Sequence, residues 1–290
     1  MTKRAKADTG RWLLPPVVLH VAHYLDETID VLAFLHAMPS DARDEALDAC
    51  VTLLTRAYDN FLWSDTEVCT LAKMDQATVI QALPAFHKLM VVEEAQVVAF
   101  CRRTPCPPMA NVRAAVDNVQ GLQSKFGTWV PSITELCIHV ERTPLDRRVL
   151  ERELSSCATL QELNIQWDEA PLDQVQLDDV MAAVAASCPH LAILCLNSKT
   201  IANLQCCKSL FRWLSQPTAR RFKLYEIDFA PRAAKTLAHA LLASTTLHTI
   251  KLFRASSVIN AFLDPSSQPL PNQLRNLALE FGSSSFDAPT

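Results

Sequence analysis

SCPHLAILCLNS, residues 187–198, sets Leu191, Leu194 and Leu196 at the spacing L-x-x-L-x-L, with Cys188 three residues ahead of the first leucine. In an extended strand Leu194 and Leu196 fall on one face, because side chains alternate sides with a period of two. What the stretch means depends on whether it recurs, and it does. ITELCI carries Ile133, Leu136 and Ile138; LQELNI carries Leu160, Leu163 and Ile165. LHTIKL carries Leu247, Ile250 and Leu252, and LRNLAL carries Leu274, Leu277 and Leu279.

Between Leu191 and Leu247 one more copy is needed, and two registers compete for it. One uses Leu224, Ile227 and Phe229, with uneven spacing to its neighbours. The other begins at Ala219 and uses Phe222 and Leu224 as the inner pair. The second is preferred, since stacked units of one kind have nearly equal lengths. Copies then start at 133, 160, 191, 219, 247 and 274, at intervals of 27, 31, 28, 28 and 27.

The intervening segments hold apolar residues three and four apart, the spacing of a helix with one buried face. They include Leu150 and Leu154, then Val180, Met181 and Val184, then Leu210, Trp213 and Leu214, then Leu237, Leu241 and Leu242. One strand–turn–helix unit cannot bury its own apolar face, but a stack of them encloses a continuous core. Each fully buried leucine contributes roughly 1.5–3 kcal/mol.

This pattern resembles the leucine-rich repeat family. Cys157 in LSSCATLQEL and Cys188 in ASCPHLAIL stand where the cysteine-containing subclass packs a thiol at the turn from helix into strand, and Ser244 takes the same place before Leu247. The chain departs from the family just after each strand. Glu141, Asp168, Lys199, Ile227 and Ala255 stand where Asn or Cys is usual. The resemblance implies an α/β solenoid, with a curved parallel sheet inside and helices outside. Upstream the pattern fades. AFHKLMV, with Phe86, Leu89 and Val91, follows the helical TVIQAL as a candidate earlier copy, and Met109–Ala114 is a weaker one.

Residues 13–38, LLPPVVLHVAHYLDETIDVLAFLHAM, read as two short helices joined at Asp26–Thr28, with Asp30 able to cap the second. Val18, Val21, Ala22 and Leu25 share one face of the first. The order Leu-Pro, Val-Leu, Tyr-Leu-Asp, Asp-Val-Leu resembles the F-box, the motif that docks onto the Skp adaptor of a cullin-based ubiquitin ligase. The resemblance implies an adaptor-facing surface of Leu14, Pro15, Val18, Val21, Leu25, Val31 and Leu32. Pro16 or Val17 replaces the acidic residue usual after Leu-Pro, and HAMPSDARDEAL stands where a Val-Ser-Lys…Trp segment is usual. The competing reading takes residues 13–54 as a helical cap on one end of the solenoid.

The expected organisation is a flexible N-terminus at 1–12, an F-box-like module at 13–54 and degenerate repeats or linker at 55–132. Leucine-rich repeats then cover 133–282, and a disordered tail covers 283–290.

Composition narrows the function. The chain has 290 residues and only four glycines, at 10, 121, 127 and 282, so no glycine-rich loop cradles a phosphate. A net charge of −4 argues against a nucleic-acid partner. No apolar run is long enough to span a membrane. The basic-then-apolar start resembles a secretory signal, but Pro15, Pro16, His20 and His23 interrupt it and no small-residue cleavage site follows. Ten scattered cysteines, without a zinc-type C-x-x-C pair, read as reduced thiols of a cytoplasmic or nuclear protein.

Nothing in the chain argues for an enzyme, a metal or a cofactor. His20 and His23 lack a third ligand, and the adjacent Glu93–Glu94 and Asp178–Asp179 diverge. Binding belongs instead to the outward strand face. There Glu135, Cys137 and His139 give way to Glu162, Asn164 and Gln166, then to Ile193, Cys195 and Asn197. Arg221, Lys223, Tyr225, Thr249, Lys251 and Phe253 follow, and Asn276, Ala278 and Glu280 close the series. Arg221, Lys223, Tyr225, Lys251 and Phe253 form a basic, aromatic patch suited to an acidic or phosphorylated target segment. The expected function is that of substrate adaptor of a ubiquitin ligase, one end holding a Skp-type adaptor and the repeats an unknown target protein. The alternative is a ligase-independent scaffold.

Overall fold

The computed structural model describes residues 15–57, 62–63, 65–170, 172–264 and 268–281. Leu14 and the expected flexible ends at 1–12 and 283–290 lie outside the described residues. Contacts divide the chain into two compact units, Met1–Val112 and Arg113–Thr290. The division falls at neither of the boundaries drawn from sequence at 54 and 132.

The first unit is mainly helical. It runs α1 (Pro15–Ala22), α2 (Thr28–Ala37), α3 (Glu45–Ala57), β1 (Thr66–Glu67), α4 (Val68–Leu71), α5 (Gln76–Ala82), β2 (Lys88–Val92) and α6 (Ala95–Arg103). β1 and β2 pair in parallel, Thr66 beside Leu89. Asp44 and Asp75 open α3 and α5 by accepting from the N–H groups of Leu47 and Thr78, each at 2.9 Å. Asp30 does not cap α2. That helix starts two residues earlier, after Glu27, and Asp30 sits in its first turn, where a carboxylate suits the helix dipole. In the segment read as a candidate early copy, α5 precedes β2, and Phe86, Leu89 and Val91 are buried.

Residues 15–54 do not stand apart within this unit. The Trp63 indole donates to Ala22 O at 3.0 Å, and its backbone N–H donates to Thr28 Oγ1 at 3.2 Å. Trp63 itself is buried against Phe86, with ring centroids 5.7 Å apart. The two N-terminal helices therefore have an apolar partner in their own chain.

The second unit is a succession of strand–helix pairs. It comprises most of β3 (Asn111–Val116), then α7 (Leu122–Phe126), β4 (Ile133–Val140), α8 (Arg147–Ser156), β5 (Glu162–Trp167), α9 (Gln174–Ser187) and β6 (Ile193–Leu204). Then follow α10 (Lys208–Leu214), β7 (Arg221–Phe229), α11 (Pro231–Leu242), β8 (Thr249–Phe253), α12 (Ser256–Phe262) and β9 (Asn276–Glu280). The strands lie side by side in chain order, and every neighbouring pair from β4 to β9 is parallel. This is a mixed α/β, solenoid-like arrangement.

Its register follows the leucines. Leu136, Leu163, Leu194, Phe222, Ile250 and Leu277 form one row, and Ile138, Ile165, Leu196, Leu224, Leu252 and Leu279 the next. The first five members of each row are at most 1% exposed. A backbone ladder crosses the start of the strands, linking Thr134, Gln161, Ala192, Arg220, His248 and Arg275 through N–H to O bonds of 2.8–2.9 Å. Those residues are spaced 27, 31, 28, 28 and 27 apart, the intervals read from the leucines. The longest interval contains α9, the longest of these helices at 14 residues.

The two registers proposed near 220 both find a place. Phe222 and Leu224 pair with Leu194 and Leu196, as the equal-length reading requires. β7 then turns at Glu226, whose φ of 56° lies in the left-handed region. The turn shifts the inward phase by one residue, so Ile227 and Phe229 are also buried and pair with Ala202 and Leu204. Arg254, one unit further on, has a φ of 53°, and its Nη1 lies 2.7 Å from Glu226 Oε1. Cys157 and Cys188 cap the ends of α8 and α9, buried at the turn into the next strand. Ser244 fills the same place by accepting from the N–H of Leu247 at 3.2 Å.

Candidate interaction surfaces

Parallel, in-register strands stack equivalent residues, so the outward face of the second unit is built in rows. One row runs Cys137, Asn164, Cys195, Lys223, Lys251 and Ala278. The next runs His139, Gln166, Asn197, Tyr225, Phe253 and Glu280.

The expected target-binding residues come together on β7 and β8. Tyr225 and Phe253 stack face to face, with ring centroids 4.7 Å apart and planes 2° from parallel. Lys223 lies between Cys195 and Lys251 in its row, but its Nζ reaches across to Glu162 Oε1 at 3.5 Å. That ion pair takes part of the positive charge the sequence assigned to this patch. Arg221 is exposed and Lys251 half-buried. Burial of the Tyr225 phenol raises its pKa above 10.0, and Cys195 adds to the effect.

A second polar cluster lies at the other end of the same face. His139 Nδ1 lies 3.0 Å from Asp168 Oδ2, and His139 Nε2 lies 3.5 Å from Cys137 Sγ. Asp168 also accepts from Lys199 Nζ at 2.9 Å and from Gln166 Nε2 at 2.8 Å. Burial alone would raise the Asp168 carboxyl; Lys199, His139 and Gln166 outweigh it and hold the group below 3.8. Asp168 and Lys199, two of the residues read from sequence as departures from the resembled pattern, pair with each other as ions. Asp228 serves a related purpose further along, accepting from the Ser257 N–H at the start of α12 at 3.0 Å.

The residues expected to face a Skp-type adaptor are divided between inside and outside. Val18 and Val31 are fully buried in the first unit, and Pro15, Leu25 and Leu32 are half-buried. Val21 is 39% exposed. Sequence reading passed over Val17 and Tyr24, which are 45% and 75% exposed. With Val21 they make an i, i+4, i+7 stripe along α1 and its end, the spacing of one helical face. That spacing was the available signal; the Val21 assignment to the Val18 face masked it. Ile29, at the start of α2, is 52% exposed.

Among the described residues, no group of three or more His, Cys, Asp or Glu is placed to hold a metal ion, and no helix is long and apolar enough to cross a membrane. A comparison with models of known protein families finds none that matches this chain, and no curated protein matches it significantly.

Proposed function

We propose that the chain is the substrate-recognition adaptor of a cullin-based ubiquitin ligase, an F-box-like module joined to leucine-rich repeats. The strand face of the second unit captures a target protein, and the exposed side of α1 and α2 docks a Skp-type adaptor. The observation that carries the docking half is the double-sided character of α1. His20 is its only polar residue in PPVVLHVA; Val18 and Ala22 are buried, while Val17 and Val21 remain open to solvent. A helix apolar all round normally has both sides covered. In this role the chain breaks no bond itself. It raises the effective concentration of target beside the ubiquitin-carrying enzyme.

Burial of Val18 and Val31 favours the other reading, a ligase-independent scaffold in which these helices only complete the first unit. The 290-residue chain bearing Val17→Glu and Val21→Glu separates the two. Loss of co-purification with a Skp-type adaptor, with the thermal midpoint unchanged, supports the adaptor role. Absence of adaptor capture by the unmodified chain rejects it in favour of the scaffold.

A further inference from the structure

The cluster around Cys137 has a chemistry that target capture does not use. Cys137 and His139 are two residues apart on β4, so the pleat sends both side chains to the outward face. Asp168, immediately after β5, holds His139 through Nδ1 at 3.0 Å. An ionised carboxylate there fixes the proton on Nδ1 and leaves the Nε2 lone pair pointing at the thiol, 3.5 Å away. Lys199 and Gln166 keep Asp168 from turning aside. This is the arrangement of a nucleophile, a base and a group that orients the base. Next to it, Asn164 is the sheet partner of Cys137.

We propose that Cys137 is a base-assisted reactive thiol, a site of covalent modification by soft carbon electrophiles of the α,β-unsaturated carbonyl class. His139 is its general base, and Asp168 is the positioning residue behind that base. The Cys137 S–H proton passes to His139 Nε2 as the sulfur forms a C–S bond to the electrophile's β-carbon. The C=C π pair moves into an enolate, which takes the proton back from the imidazolium to give a saturated thioether. Nothing is oxidised or reduced.

The surrounding groups explain why a base is needed. Burial pushes the Cys137 thiol above 9.0; Arg113 opposes this, and Asp168 and Glu162 reinforce it. Arg113 lies on β3, where it pairs with Glu135 of β4 at 3.9 Å, and Glu162 lies on β5. The thiolate is therefore not preformed at neutral pH, and the proton must leave during attack. Two other half-buried thiols are engaged differently. Cys69 donates to the Glu67 carboxylate at 3.1 Å, and Cys106 donates to Pro107 O at 3.6 Å.

The test is a brief pulse of N-ethylmaleimide on the native full chain, quenched and mapped by peptide mass spectrometry over all ten cysteines. Cys137 is expected to react at least about tenfold faster than Cys69, Cys106 and Cys206, a modest share of what a general base supplies. His139→Gln should bring it to their level. Asp168→Asn should slow it, and Asp168→Glu should restore part of the rate, which a merely structural carboxylate would not do. Equal labelling of Cys137 and the three reference thiols overturns the proposal without any variant having to fold. So does a fast Cys137 whose rate survives His139→Gln in a chain with native circular dichroism.

Discussion

Leu163→Ala and Leu277→Ala make the same chemical change at two places in one row of the sheet, and the stacked core predicts different costs. Leu163 is fully buried, with Leu136 on one side and Leu194 on the other. Its neighbours sit on strands fixed by the backbone ladder and cannot collapse far into the space. Large-to-small changes at such sites cost about 3–4 kcal/mol, from lost transfer energy plus the residual cavity. Leu277 is half-buried, on the last described strand, and its partner in the sheet is Ile250. Water already reaches part of it, so its truncation should cost about 1–1.5 kcal/mol. Urea titration of the full chain, followed by tryptophan fluorescence, reads both, because Trp129, Trp167 and Trp213 are fully buried in the second unit. With a slope of about 2 kcal/mol per molar, Leu163→Ala should lower the midpoint by roughly 1.5–2 M and Leu277→Ala by roughly 0.5–0.8 M. Equal losses at the two sites, or a larger one at Leu277, would refute the shared-core reasoning.

Three further outcomes follow from particular contacts. Glu153 is buried on α8, and its Oε2 accepts from the Leu122 N–H at 2.9 Å, so Glu153→Leu strands a buried donor and should cost about 2–3 kcal/mol in urea titration. Glu153→Gln keeps an acceptor and should cost less than half as much; equal losses would remove the hydrogen bond as the reason. Asp228→Ala should cost about 1 kcal/mol by uncapping α12, with faster amide exchange at Ser257 as the local readout. Burial pushes the thiols of Cys50, Cys101, Cys157, Cys188 and Cys195 from 9.0 up to about 12. The folded chain then holds thiol protons that the unfolded chain releases above about pH 9, so this stability is whole below that pH and is lost as pH rises toward about 12. Cys157→Ala and Cys188→Ala should each flatten the fall of the urea midpoint between about pH 8 and about pH 11.

Much of the second unit was legible because its signal is periodic. A leucine row needs only spacing, and the intervals from Ile133 to Leu274 carry over directly into the backbone ladder. Irregularity within a strand was harder to see. Glu226 gives no sign in its side chain of a left-handed backbone, which is why Leu224–Phe229 looked like a rival copy when only Ile227–Phe229 is the second arm of β7. In the first unit the period fails. There the fold depends on single long-range contacts, such as that of Trp63 with Ala22, 41 residues away. No local pattern reveals that the Val18 side of α1 already has a partner.

The face chemistry was hidden for a related reason. Cys137 and His139 are readable as neighbours, being two apart on one strand, but Asp168 is 29 residues beyond His139. Only the register, Val140 opposite Trp167, places it beside the end of β4. Stacking in parallel register converts a sequence offset of about one repeat into adjacency, so every polar residue that ends a strand acquires two lateral neighbours. Lys199, one repeat beyond Asp168, is the second of them, and it arrives with the opposite charge. The same rule brings Glu226 against Arg254 and Tyr225 against Phe253. Substituting one residue of such a pair therefore changes the surface seen by a partner at two strands, not one. Any variant meant to isolate Lys251 or Phe253 has to be compared with its lateral neighbour, Lys223 or Tyr225, before a loss of binding is assigned to a single side chain.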